Sequence, residues 1–415
     1  MLVYVQNIDR QPLMPTSPVK ARLLLKAGKA KVVRKTPFTI RLTSNSTIYV
    51  QPLTHGVDTG SSVIGSSVAD ANGRVYYVSE VTVRNDIRER MDRRRKYRRN
   101  RRQRKTRYRA PRFNNRGNSR REKRFSPTMV SRLNAHRREI RFVASILPVS
   151  KLILETGTFD PHALKNPAVL EDKSLYQKGP NYGYENTKAF VLSRDGYLCQ
   201  HCKGKSKDRR LHVHHIVFRS EGGSDEAENL VTLCKTCHDK VHHDGLVLKR
   251  NGKPKGDLLH ATQMNSIRVQ MLNAYPDAEE TFGYITKANR QLFTDQKSRS
   301  LDAAIVATDG ANPAFLTSVR VLKICIPDGD YQRSKGVRSE TRIPPGKIEG
   351  FRKFDKVCYR GKTYFVKGRF STGYAILMDQ AGEKVNLKPI PKFGWMKRIS
   401  ARKSWRITQQ NTLSF

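Results

Sequence analysis

At 415 residues the chain has room for two to four domains and needs no disulfide framework to fold. Its 80 Lys and Arg against 36 Asp and Glu leave a net charge of +44, a self-repulsion that a polyanion must offset, and nucleic acid supplies this through phosphate contacts and counterion release. A membrane partner is excluded: no apolar run approaches the roughly 18 to 20 residues of a spanning helix, and MLVYVQN breaks too early for a secretory segment, so a cytoplasmic chain is expected.

The first 50 residues alternate short β-branched runs, LVYV, AKVVR, FTIRL and STIYV, with a basic helical stretch, VKARLLLKAGKA, that closes at Gly28. This is the pattern of a small α+β unit. From His55, GVDTGSSVIGSSVADANGRVYYVSEVTV reads as three strands, with Asp58 in the first and Asn72-Gly73 as the hairpin turn between the second and third. Residues 84–125 are then about half Lys and Arg. Such a block is either solvated, disordered chain or a long helix, because residues 84–110 hold neither Gly nor Pro and Pro111 follows as a stop. A helix cationic on every face must draw its stability from phosphates on several sides. Its candidate RNA contacts are Arg88, Arg93, Arg94, Arg95, Arg98, Arg99, Arg101 and Arg102.

A second helix, MVSRLNAHRREIRFVASIL, leads to KLILETGTFD, a short buried strand carrying Glu155, and then to a loop rich in Pro, Asn, Gly and Tyr. Residues 258–292 read as helical, and SRSLDAAIVATDG sets Asp302 at the start of another helix. From about Phe315 the chain is β-rich, with Gly turns that fit an SH3-like or other small barrel. Trp395 and Trp405 lie there among basic residues, as candidates for reading DNA beside a target or, equally, as caps on the fold.

Between these segments lies the densest chemistry. Cys199/Cys202 and Cys234/Cys237 form two CxxC pairs, which in a reducing compartment read as one tetrahedral Zn2+ site, while Cys325 and Cys358 stand alone. The long gap between the pairs must hold a structure of its own. Seven of the eleven histidines lie between His201 and His243, a density that core packing does not produce. A strand ends in His214 and His215, Asn229 follows in a loop, and His238 and His242 stand four apart on one helix face. This text resembles the HNH, or ββα-metal, nucleases. In that light His214, His238 and His242 hold one divalent cation, and His215 stays neutral to take a proton from water. Asn229, following the family, fixes the loop and orients His215. Strict alternation sends His214 and His215 to opposite faces, so the doublet is expected where the strand frays or bulges. A zinc finger that only binds is the competing reading, but it needs the four cysteines and not HH, N and HxxxH.

Three carboxylates far apart in sequence complete the picture. Two-metal phosphodiester hydrolysis needs acids around cations about 4 Å apart. Asp58 on a glycine-flanked strand, Glu155 on a buried strand and Asp302 at a helix start match the layout of ribonuclease H-like nucleases. Each alone is as well read as a turn or strand-end residue; their order is the informative feature. Strand-Asp, arginine helix, strand-Glu, inserted Cys/His module and DA helix follow one another as in a split RuvC nuclease. With QPLMP (Gln11 to Pro15), GVDTGSS, LETGTFD, GYENTKAFVLSRDGYLCQHC, HATQMN, GYITKANRQ and DAAIVA in the same order, essentially the whole chain resembles the IscB family of transposon-associated, RNA-guided nucleases.

The resemblance implies an α/β multidomain fold: an RNase H-like (RuvC) core split in three segments, an inserted ββα-metal HNH domain with zinc ribbon-like cysteines, and a β-rich C-terminal domain. The expected boundaries are a PLMP domain at 1–50, RuvC segments at 51–84, 126–165 and within 246–315, and a bridge helix with linker at 85–125. A linker at 166–190, the HNH domain at 191–245 and a target-adjacent-motif domain at 316–415 complete them. It further implies a monomer with a structured guide (omega) RNA, a double-stranded DNA target with a short flanking motif, Mg2+ or Mn2+ at both nuclease sites, and structural Zn2+. HNH would cut the guide-paired strand and RuvC the displaced one. Composition and spacing alone show only a basic, two-site nuclease. A protein-guided homing nuclease and an RNA-binding protein with relic motifs are the alternatives. One departure stands out: where the family commonly has KSHxxDA, this chain reads KSRSLDA. Arg299 stays protonated and can neither ligate a cation nor act as a base.

Overall fold

The computed structural model describes residues 2–103, 125–179, 181–221, 223–248, 258–327 and 347–411. The chain divides into two compact units, Met1–Thr158 with Gln263–Phe415, and Phe159–Thr262.

In the first unit, β1 (Val3–Gln6), β2 (Pro12–Thr16), α1 (Pro18–Lys26), β3 (Ala30–Lys35) and β4 (Phe38–Leu42) build a four-stranded sheet ordered β2-β1-β4-β3. The Ser17 hydroxyl accepts from the Lys20 amide to start α1, Pro18 occupies its first turn, and Gly28 at φ +69° follows its end. Two expectations change here. The PLMP segment is itself a strand, whereas STIYV is not: Ile48 and Tyr49 are 60% and 93% exposed. Strand propensity alone does not hold a segment that has no apolar face to cover.

The next segment gives β5 (Leu53–Asp58), β6 (Val63–Asp70) and β7 (Arg74–Thr82) as an antiparallel meander. Then come α2 (Ile87–Gln103), α3 (Pro127–Ala144) and β8 (Val149–Thr156), which pairs parallel to β5. The arginine block is thus helical up to Gln103, and residues 104–124 of the expected bridge lie outside the described residues. Arg88, Arg93, Arg94, Arg95, Arg98 and Arg99 are exposed, and Arg101 and Arg102 fall in the last turn. Buried Ile87 and the Asp86–Arg90 and Glu89–Arg93 ion pairs, four residues apart, support the start of α2.

The second unit carries α4 (Pro161–Lys165), two short 3-10 turns, α5 (Thr187–Arg194), the hairpin β9 (Leu211–His215) with β10 (Leu230–Cys234), and α6 (Lys235–His243). It begins well before the expected domain boundary. Arg194 ties α5 to the hairpin region by donating to the carbonyls of Ala227 and Leu230 at 2.7 and 2.8 Å, and the Asp195 carboxylate accepts from the Thr232 amide at 2.8 Å.

The chain then returns to the first unit with α7 (Leu259–Ala274), β11 (Glu279–Phe282), α8 (Gly283–Gln291), α9 (Arg299–Ala307), β12 (Ala314–Phe315) and β13 (Val319–Cys325). Strand β11 interrupts the region expected to be helical. It pairs parallel to β8, so the large sheet runs β11-β8-β5-β6-β7-β13-β18, with β18 at Trp405–Asn411 and β12 beside β7. Ile140, Leu133 and Met129 of α3 and Ile267 and Met271 of α7 bury one face against Val57, Ile64, Val81 and Leu154. Each such side chain contributes roughly 1.5–3 kcal/mol of burial. On the opposite face, α9 packs Ala304 and Ala307 against Ala69, Val75 and Val78. Glycine makes that approach possible: a Cβ on Gly56 would lie 2.4 Å from the Ala307 amide nitrogen, and one on Gly65 would lie 1.8 Å from the Arg299 carbonyl oxygen.

Strands β14 (Lys356–Tyr359), β15 (Lys362–Arg369), β16 (Ala375–Met378) and β17 (Lys397–Ser400) form a separate antiparallel sheet ordered β16-β15-β14-β17 around Val357, Val366, Leu377 and Phe393. The β-rich region expected from Phe315 is therefore not one body, since β13 and β18 at its two ends belong to the large sheet. Trp405 follows from this. It meets Phe142 edge-on at 5.3 Å and the Lys323 amine at 4.9 Å, as a core contact rather than a reader of DNA, whereas Trp395 stays half exposed.

Candidate active sites

In the second unit, β9 and β10 pair in regular register, with His215 opposite Leu230 and His214 opposite Val231. There is no bulge at the doublet, which instead stands at the end of β9, the other place expected for it. Ordinary alternation sends the two imidazoles apart and gives each its own surroundings. His214 is buried and turns to α6, where its Nε2 lies 3.1 Å from Nε2 of His242, and its ring centre is 5.0 Å from that of His238. The ligand nitrogens of His214, His238 and His242 all lie within 4.8 Å of one another. Nitrogens sharing a tetrahedral ion at about 2.0–2.1 Å would be about 3.3 Å apart, so the triad fits a metal. Burial, then the neighbouring His238, lower the pKa of His214 and keep it in the neutral form a ligand needs. Three imidazoles suit a transition ion such as Mn2+ or Zn2+ better than Mg2+, which prefers oxygen.

His215 points the other way, its Nε2 2.8 Å from the Asp225 carboxylate, which also accepts from Arg219 at 2.7 Å. Asn229 is buried and accepts from the Val217 amide while donating to the Val217 and Ser224 carbonyls at 3.0 and 2.9 Å. It clamps the loop, as expected, but the side chain bonded to His215 is Asp225. His212, two residues before His214 and so on the same face, stacks near His238 at 5.0 Å. The HVHH alternation could have flagged His212; nothing local in the sequence singles out Asp225.

Cys199, Cys202, Cys234 and Cys237 bring four sulfurs within 4.8 Å of one another, and those of Cys202 and Cys234 lie 3.8 Å apart. A tetrahedral zinc with Zn–S near 2.3 Å sets sulfurs about 3.8 Å apart, so these residues fit the ion without rearrangement. Hydrogen bonding to Ser206 pulls the Cys202 thiol down to about 5, whereas burial pushes Cys237 up.

The three carboxylates meet at one end of the large sheet, but on different terms. Asp58 and Glu155 are direct partners across β5 and β8, and Asp302 approaches on α9. Two arginines have joined them. Arg299 meets Asp58 through one nitrogen, Nη1 lying 2.8 and 3.0 Å from its two oxygens, and Arg290 of α8 donates to buried Asp302. Burial and then Glu155 raise Asp58 well above the usual carboxylate range, against the pull of Arg299. Burial likewise raises Glu155, whose Oε2 is buried without a partner. Among the described residues, only the cysteine and histidine sets bring three or more ligand atoms within 4.8 Å of one another; the carboxylates do not. As they stand they do not fit a metal pair.

A two-stranded hairpin followed by a helix, with three converging histidines and a zinc-type cysteine cluster, defines a ββα-metal nuclease module. Residues 199–244 match the HNH endonuclease family, so this module is an HNH endonuclease domain, of the kind that hydrolyses phosphodiesters with a metal ion. Residues 3–179 match the RRXRR protein family. The chain is 30% identical over 130 residues to the type IV methyl-directed restriction enzyme EcoKMcrA of Escherichia coli (strain K12), a match covering 29% of this chain and 42% of that enzyme. It is 35% identical over 68 residues to Anaredoxin of Nostoc sp. (strain PCC 7120), covering 16% of this chain and 86% of that protein. The crystal structure of Streptococcus thermophilus Cas9 in complex with the AGAA PAM superposes on 58% of this chain and 32% of that one, at 10% identity and a TM-score of 0.32. The chain thus spans less than half of the restriction enzyme and about a third of the Cas9 chain. No described helix is long and apolar enough to cross a membrane.

Proposed function

We propose that this protein is an RNA-guided DNA endonuclease of the IscB type, acting as a monomer with a structured guide RNA. The observation that carries this reading is the chain order of its chemistry. The HNH module, with its nitrogen triad, is inserted between the Glu155 strand and the Asp302 helix of a sheet whose order β7-β6-β5-β8-β11 is that of an RNase H-like, RuvC-type core. The exposed arginines of α2 suit an RNA backbone, because cations around a whole helix grip phosphate, whereas base readout needs a few residues on one face. The smaller C-terminal sheet, with exposed Trp395, is left as the reader of the motif beside the target.

At the HNH site, His214, His238 and His242 hold the cation and His215 takes a proton from the attacking water. Asp225 holds the His215 ring, and Asn229 fixes the loop that carries Asp225. A cation held by these three histidines would neutralise charge on the scissile phosphate. This site cuts the guide-paired strand; the RuvC-type carboxylates Asp58, Glu155 and Asp302 face the displaced strand.

Sequencing the RNA that co-purifies, followed by strand-resolved cleavage of end-labelled duplex matched to it, tests the reading. A discrete structured RNA and a cut in the matched strand are expected. Cleavage by RNA-free protein at a fixed DNA sequence would replace it with a homing nuclease, and mixed RNA without cleavage would replace it with an RNA-binding protein.

A further inference from the structure

The carboxylate end of the large sheet is already charge-balanced by the chain itself. Arg299 lies in the first turn of α9, one turn before Asp302, and Gly65 lets its backbone press onto β6, so its guanidinium reaches Asp58 with both carboxylate oxygens engaged. Ser298 caps the same turn by accepting from the Leu301 amide, and the neighbouring Ser300 hydroxyl donates to Glu80, which also takes Arg320. Arg299 is therefore delivered from an anchored helix start and not from a loose loop. Arg290 does the same for Asp302, both side chains being less than 10% exposed. Of the three acids, Glu155 alone keeps an oxygen buried without a partner.

We propose that Arg299 is a resident counter-cation that stands in place of a metal ion against Asp58, so that the carboxylate centre is silent and this chain nicks only through its HNH module. Three physical points carry this. Arginine remains protonated throughout the working range, so it repels any cation entering the cluster. Its Nη1 spans both Asp58 oxygens, occupying the two oxygens that a bridging ligand would offer to metal. The oxygens that neither arginine holds belong to Glu155 and Asp302, and the three carboxylates do not converge within 4.8 Å, too loose a set for an ion that needs several donors. The nicking specificity rests on the guided-nuclease reading above; the closure of the centre does not.

The experiment starts from full-length, zinc-loaded His238→Ala protein, which removes the competing histidine site. Mn2+ binding is measured on the RNA-free chain by equilibrium dialysis, and strand-resolved cleavage on the guide complex. His238→Ala alone is expected to bind no Mn2+ at the carboxylates and to cut neither strand. Adding Arg299→His, which exchanges a fixed cation for a neutral nitrogen donor, should tighten Mn2+ binding by at least about tenfold and open a cut in the displaced strand. Arg299→Lys, which keeps the charge, should stay silent. A displaced-strand cut by His238→Ala alone overturns the proposal while leaving the guided reading intact. So does unchanged Mn2+ binding in an Arg299→His protein whose melting is unaltered. If no variant shows guided cleavage, the guided reading falls and the dialysis still decides whether Arg299 closes the centre.

Discussion

The two ends of this molecule's chemistry contrast in how their ligands are held. In the HNH module, His214 and His242 stand 3.1 Å apart and Cys202 and Cys234 3.8 Å apart, spacings already those of a metal's coordination edge. On the large sheet, three acids approach one another only with guanidinium groups between them. Imidazoles converge at little electrostatic cost, and the thiolates of the cysteine set are offset by the zinc they share. Carboxylates repel and lose hydration when buried together, so they need a counter-cation in the folded chain, and a protein that supplies its own has little use for a metal there.

The contrast breaks most visibly in cleavage. His215→Ala and His238→Ala should each lower the guide-paired cut by about 10²- to 10⁴-fold, the span of a lost general base or of the cation it works beside. Asp58→Asn should leave that cut, and total cleavage, within about twofold of wild type, because its carboxylate serves Arg299 rather than a reaction. Strand-resolved rates on end-labelled duplex decide it. A large loss in Asp58→Asn would remove the distinction between the two ends.

Why one end was legible in the sequence and the other only partly so follows from the same contrast. The cysteine pairs, the HVHH strand and HxxxH on a helix declare themselves, because strand alternation and helical period fix which side chains meet. Asp58, Glu155 and Asp302 could be placed on their elements, since GVDTGSS, KLILETGTFD and SLDAAIVA have strand and helix patterns. Arg290 could not be seen as the partner of Asp302, because β11 between α7 and α8 brings α8 back to the sheet, and EETF carries no strand alternation. The sequence leaves the place of Trp405 open for a related reason. The β-rich tail reads as one body in sequence, while register assigns β13 and β18 to the large sheet, and only long-range pairing could show it. The doublet expected where the strand frays or bulges stands at the end of β9 without a bulge, and the chain uses both faces.

The zinc cluster gives the next largest effect, on structure rather than rate. Cys234→Ser should release the tightly held zinc and unfold residues 159–262, because a four-thiolate site contributes folding free energy directly. The unit holding the large sheet should melt as before. Metal analysis with limited proteolysis reads both outcomes, and a folded, zinc-free, cleaving Cys234→Ser protein would sink the structural role.

Acid should discriminate the units in the opposite sense. His55 and His136 are fully buried in the first unit, bonded to the Ser66 hydroxyl and the Arg132 carbonyl, and burial lowers both to about 4. Glu139 and Lys323 near His55 act in opposite directions, as do the Arg132 carbonyl, whose hydrogen bond raises His136, and the smaller effect of the Arg132 charge, which lowers it. An imidazole whose folded value lies below its unfolded one stabilises the fold above about pH 6.5 and loses that contribution as pH falls toward 4. The large-sheet unit should therefore lose a few kcal/mol across that window. Thermal melts at pH 7 and 4.5 measure it, and His136→Leu, which keeps the volume buried without a titrating group, should flatten the slope. An equal slope in that variant would mean the acid sensitivity comes from elsewhere.

The smallest expected effect lies beside His215. Asp225 accepts from the imidazole at 2.8 Å and from Arg219 at 2.7 Å, yet it is 67% exposed. Its own pKa is lowered first by His215 and then by Arg219, so the pairing persists until pH falls through that depressed value and the carboxylate protonates. Solvent screens an exposed pair of this kind, so its loss should change a rate by no more than about fivefold. Asp225→Asn keeps an acceptor oxygen and should lower the HNH cut by no more than that, with metal binding by His214, His238 and His242 unchanged. Arg219→Ala should cost less again, since Asp225 would keep its bond to His215. Removing the loop clamp with Asn229→Ala should exceed both, because it frees the Val217 and Ser224 carbonyls and the Val217 amide together and lets the whole loop carrying Asp225 drift. If Asp225→Asn instead matches His215→Ala in loss of rate, the carboxylate does more than hold the ring, and its contact with His215 must tighten when substrate binds.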